Sequence, residues 1–91
     1  MNKARRNQLY KYASELEDIN TKLDEIKNGI DNVKDEEDDA YSNLPDSLQD
    51  SERGETMQEC VDELDDAIGQ IEDVMSQIDD IMEIIREVIE K

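Results

Sequence analysis

Apolar residues in the first half of the chain fall at Leu9, Tyr12, Leu16, Ile19, Leu23, Ile26, Ile30 and Val33, separated alternately by three and four residues. That spacing keeps one stripe of a helix apolar and predicts a coiled-coil seam. The second half repeats it at Val61, Leu64, Ile68, Ile71, Met75, Ile78, Met82, Ile85 and Ile89. Between the two seams lies Asn43-Leu44-Pro45, which holds the only proline. A residue before proline is pushed out of helical geometry, and proline suits the first position of a new turn. The pattern therefore predicts a single helical hairpin domain over 1–91, with a helix over 2–41, a turn over 42–50 and a helix over 51–91.

The start of the second helix is marked by capping chemistry. Ser51 suits the cap, Glu52 and Glu55 suit the positive end of the helix dipole, and Thr56-Met57-Gln58-Glu59 has capping-box spacing. Folding back near residue 47 pairs seam positions whose numbers sum to 94, such as Leu16 with Ile78 and Leu23 with Ile71. The expected fold is all-α, an antiparallel two-helix coiled-coil hairpin. Ala40 and Gly54 also sum to 94, so two small residues are expected to allow a close approach beside the turn.

The second helix carries more apolar surface than one partner helix covers. Cys60, Ala67, Val74, Ile81 and Val88 form a further row at seven-residue spacing, whereas Gln8, Glu15, Lys22 and Gly29 stand at the corresponding positions of the first helix. The row is expected to face a second copy, making a homodimer and a four-helix bundle.

Composition changes the picture in one direction. There are 27 Asp and Glu against 10 Lys and Arg, a net charge of -17, and no His, Trp or Phe. So acidic a chain is repelled by nucleic acid and anionic lipid and attracted to basic protein surfaces. Its charge and few aromatics fit disorder, but the regular seams argue against that. A single Cys excludes an intrachain disulfide and fits a reducing cytoplasm. No secretion signal is expected, since Asn7, Gln8, Lys11 and Glu15 interrupt the segment after the N-terminal cations. Apolar runs are too short to span a membrane.

Catalytic chemistry finds little support. Without His there is no Ser-His or Cys-His nucleophile and no Cys/His zinc site, and no phosphate-binding glycine motif occurs. Asp35-Glu36-Glu37-Asp38-Asp39 lacks the ligand spacing of a calcium loop. No enzyme activity, cofactor or metal is expected. Lys3, Arg5, Arg6 and Lys11 are expected beside Glu83, Glu87 and Glu90 in the folded hairpin.

The second helix offers a different kind of surface. No Lys or Arg occurs between Gly54 and Ile85, while Asp65-Asp66, Glu72-Asp73 and Asp79-Asp80 recur every seven residues. On a helix this places carboxylate doublets about 10 Å apart in a line. Together with Asp62 they form a candidate partner-binding face for a basic groove, such as that of a nuclease or another nucleic-acid-binding enzyme.

Residues Asn43 to Met57, read with Glu59, Asp62, Leu64, Ala67 and Ile68, resemble a class of small acidic helical proteins of Firmicutes prophages and integrative elements. The resemblance implies a mobile-element setting and no catalytic residues; small acidic DNA mimics that block host defence nucleases, including anti-CRISPR proteins, are familiar there. The leading expectation is thus a non-enzymatic DNA-mimic inhibitor. The alternative is a self-assembling structural or adaptor coiled coil that docks a partner helix.

Overall fold

The computed structural model describes residues 1–91 and is helical almost throughout, with no strand. Helix α1 spans Lys3–Ser42, a single turn α2 spans Asp46–Gln49, and helix α3 spans Glu52–Glu90. The two long helices pack antiparallel along a rod 69 Å long and 15 by 13 Å across. Its accessible surface is 6697 Å², against about 5,400 Å² for a compact monomer of 10.5 kDa. Only five residues are buried and no side chain is fully so, which gives the rod a seam and no closed core.

Each long helix has a side-chain cap at its N-terminus. The Asn2 side chain accepts from the Arg5 amide at 2.9 Å, and Ser51 accepts from the Gly54 amide at 3.5 Å. Between them, α2 follows directly on Pro45, whose carbonyl accepts from the amides of Leu48 and Gln49. Gln49 then turns back to α1 and donates its amide to the carbonyls of Leu44 and Tyr41 at 3.2 and 3.5 Å. The Tyr41 carbonyl also accepts from the Leu44 amide at 3.0 Å, so Gln49 ties the corner back to the end of α1. The predicted turn over 42–50 therefore contains a helical turn of its own.

Gly54 does not pair with Ala40, which is exposed. It is buried beneath α2 instead, where an added Cβ would lie 2.1 Å from the Gln49 carbonyl oxygen and 2.7 Å from that of Leu48. The close approach is to the corner, and only glycine fits it.

The α3 seam runs as the spacing predicts, with Val61, Leu64, Ile68, Ile71, Met75, Ile78, Met82, Ile85 and Ile89 all buried or half-buried. Helix α1 departs from expectation. Leu9, Leu16, Leu23 and Ile30 face α3, but their companions in the seam are Ala13, Asn20, Lys27 and Lys34, while Tyr12, Ile19, Ile26 and Val33 are exposed. At 100° per residue this is a roll of α1 by about 50°.

The register moves with the roll. Lys34 with Asp65, Lys27 with Glu72 and Asn20 with Asp79 have numbers summing to 99. The buried and half-buried positions of the two helices mirror each other about a sum of 98. The expected 94 is displaced by about one helical turn. The reason is chemical: the rolled face brings two ammonium groups and an amide of α1 against carboxylates of α3, and the long lysine stems cover the seam.

Candidate functional site

The acidic face begins with the seven-residue repeat of α3, which holds its carboxylate doublets at one angle along the rod. Asp62, Asp65, Asp66, Glu72, Asp73, Asp79 and Asp80 are all exposed. The two members of each doublet nevertheless have different neighbours. The first member leans towards α1 and the second points away.

Asp65 lies 3.3 Å from Lys34, which also pairs with Asp31 at 3.3 Å. Glu72 lies 3.7 Å from Lys27, which also pairs with Asp24 at 3.5 Å. Asp79 accepts from the Asn20 amide at 2.9 Å, and that same amide donates to the Met75 carbonyl at 3.1 Å. Lysines missing from α3 are thus supplied by α1. The partners are separated by 31 residues or more, so no i, i+4 pattern within α3 contains them.

Lys34 has the one clearly displaced titration. Its ammonium donates hydrogen bonds to Asp65 first and Asp31 second, which holds it above the ordinary lysine value. Its side chain is 22% exposed, with the head group among carboxylates and the stem against the seam. The arrangement ties the two helices together along one edge.

The second members, and Asp62 beside them, remain open. Asp62, Asp73 and Asp80 make no hydrogen bond or ion pair, and Asp66 accepts only from Gln70 at 3.2 Å. The unbridged carboxylates Asp66, Asp73 and Asp80 form a line about 10 Å apart, beside first members that are bridged and still exposed.

The expected self-association row is graded. Val74 and Ile81 are exposed, while Cys60, Ala67 and Val88 are half-buried. Cys60 is a free thiol. Leu23 lines one shallow groove with Ala67, Ile71 and Val74, so the α3 row and the leucine row of α1 share a side of the hairpin. Tyr12, Ile19, Ile26 and Val33 flank that leucine row on its outer side. The sequence reading assigned them to the seam and left α1 without an outward apolar row; the roll of α1 overturns both points.

At the open end, Lys3, Arg5, Arg6 and Lys11 form no ion pair with Glu83, Glu87 or Glu90. Arg6 keeps a buried Nε without an acceptor. No group of three or more carboxylate or thiol side chains is placed to hold a metal ion, and no helix is long and apolar enough to cross a membrane. No protein-family model, curated protein or solved structure matches the chain.

Proposed function

We propose that the protein is a non-enzymatic acidic binding protein, a rod that presents the outward carboxylates of α3 to a basic protein surface as a mimic of duplex nucleic acid. The observation that carries the reading is linear charge density. One chain bears a net charge of -17 along 69 Å, so two chains side by side bear about one net negative charge per 2 Å. Duplex DNA carries one per ~1.7 Å. Pairing of two hairpins into a four-helix bundle belongs to the proposal, since it covers the apolar side and leaves the carboxylates outside.

The partner is a nucleic-acid-handling enzyme whose groove is lined with Lys and Arg; in the mobile-element setting that the resemblance implies, it is a host defence nuclease. Association is steered by charge and weakens steeply with salt. The test is capture of partners from bacterial lysate on tagged protein, with elution by salt or by duplex DNA. The proposal expects a nucleic-acid enzyme that DNA displaces, and expects Asp62→Asn, Asp66→Asn, Asp73→Asn and Asp80→Asn together to abolish capture while the helical circular dichroism stays intact. Unchanged capture by that quadruple variant refutes it.

A second reading has its own observation. The exposed Val74 and Ile81 suit an adaptor coiled coil that docks a partner helix. On that reading Val74→Ser with Ile81→Ser removes the partner and the charge changes do not.

A further inference from the structure

The roll of α1 gives the hairpin two unlike sides. One edge is closed by the lysine and asparagine bridges to α3. The opposite side sets Tyr12, Ile19, Ile26 and Val33 of α1 beside Val74 and Ile81 of α3, each between 43% and 54% exposed. Together they leave roughly 600 Å² of side-chain surface open, at the upper end of the largest patch that a monomer ordinarily exposes. Two such faces laid together exclude over ~1,000 Å², the scale of a specific interface.

The face runs about 32 Å from Tyr12 to Val33, and a second copy is the occupant that its area and charge fit, because the two ends of the 69 Å rod carry opposite net charge. Charge then decides the orientation. The open end, residues 1–14 and 81–91, carries six Lys and Arg against three Glu, a net side-chain charge of +3. The turn end, residues 35–59, carries ten Asp and Glu against Arg53, a net of -9. Parallel pairing would press two ends of -9 together. Antiparallel pairing lays each +3 end over a -9 end.

Two arginines mark the same choice. Arg5 stands seven residues before Tyr12 and Arg53 seven before Cys60, so each continues one of the outward rows. Both are exposed and neither has an ion-pair partner within the chain. Antiparallel pairing brings Arg5 over the partner's corner, where Asp46, Asp50 and Glu52 lie, and Arg53 over the partner's open end, where Glu87 and Glu90 lie. Parallel pairing brings like against like.

We propose that two copies pair antiparallel through this apolar face, the open end of each hairpin lying on the turn end of the other. The inference rests on the reading of the protein as a paired rod, and two measurements separate their failures. Sedimentation equilibrium of the full chain reads the pairing: a dimer mass is expected, and a monomer throughout the micromolar range overturns pairing and orientation together.

Orientation is read by electron-spin distance measurement on Glu59→Cys in a Cys60→Ala chain. Residue 59 lies 12 residues from the midpoint of Glu52–Glu90, so an antiparallel pair separates the two labels by about 36 Å along the axis. A distance below about 25 Å in a dimeric sample overturns the orientation and leaves the pairing standing. Native Cys60 gives a second readout: the antiparallel dimer resists disulfide cross-linking under mild oxidation, whereas rapid cross-linking of the dimer overturns it. A copy with Ile19→Asp and Ile26→Asp is expected to sediment as a monomer with its helical circular dichroism retained; persistence of the dimer refutes the face.

Discussion

Gly54 sits where α3 passes beneath the corner, and replacing it with alanine sets two known effects against each other. In an open helical position Gly→Ala stabilises by up to about 1 kcal/mol. At Gly54 the new Cβ would meet the Gln49 carbonyl oxygen at 2.1 Å, its carbon at 2.6 Å and the Leu48 carbonyl oxygen at 2.7 Å. All three are backbone atoms, so relief requires α2 to lift. Lifting α2 also withdraws the Gln49 amide from the carbonyls of Tyr41 and Leu44. Overpacking of this kind costs about 1–3 kcal/mol and a lost hydrogen bond about 1 kcal/mol, so the loss outweighs the propensity gain and leaves a net of about 1–3 kcal/mol. For a domain of this size that lowers Tm by about 5–15 °C.

Gly29 and Gly69 are the controls, since a Cβ at either meets nothing within 4 Å. Alanine there is expected to raise Tm by about 4–8 °C. Thermal unfolding followed by circular dichroism at one fixed protein concentration checks all three. A Gly54→Ala variant that gains as much as Gly69→Ala refutes the close approach.

The polar groups of the seam give three further expectations. Asn20→Leu replaces an amide whose carbonyl oxygen is buried without a donor; it raises Tm, and it loosens register because the polar anchor to Met75 and Asp79 is gone, which broadens spin-label distances across the hairpin. Gln49→Ala unties the corner from α1 and costs about 0.5–1.5 kcal/mol, readable as a shift in the urea midpoint without a change in slope. Lys34 has a raised titration, so its contribution is complete below the ordinary lysine value and is lost as pH rises through the raised one; wild type therefore loses more stability than Lys34→Gln on the alkaline side, and parallel Tm curves would refute the assignment.

How far the sequence could be read depended on how many stripes it offered. In α3 the seam positions were apolar without exception, and that seam is the observed one. In α1 the row of Leu9, Leu16, Leu23 and Ile30 belongs to two stripes at once. Completing it with Tyr12, Ile19, Ile26 and Val33 maximises apolar content, and completing it with Ala13, Asn20, Lys27 and Lys34 maximises complementarity to Asp65, Glu72 and Asp79. Hydrophobic periodicity scores only the first. The second depends on which residues lie opposite, and register is what a sequence with a strict heptad repeat leaves degenerate.

The candidate face was legible in outline for the same reason. The seven-residue repeat located the carboxylates, but the division of each doublet into a bridged and an open member follows from the roll of α1. The corner was located by Pro45 and Ser51. The role of Gln49 was not, because glutamine carries no turn signal of its own and acts here through a side chain reaching back to α1.

The corner also sets the order in which the rod assembles. Loop closure costs least where the chain returns soonest, and the bridge from Lys34 to Asp65 spans 31 residues while that from Asn20 to Asp79 spans 59. Closure starting at α2 lets every later contact form with its neighbour already in place, as a zipper running towards the termini. The first step brings together the part of the chain with the densest negative charge, so dissolved salt acts on the start of folding more than on its completion. The same turn that joins the helices is thus the point at which ionic strength governs how fast they find each other.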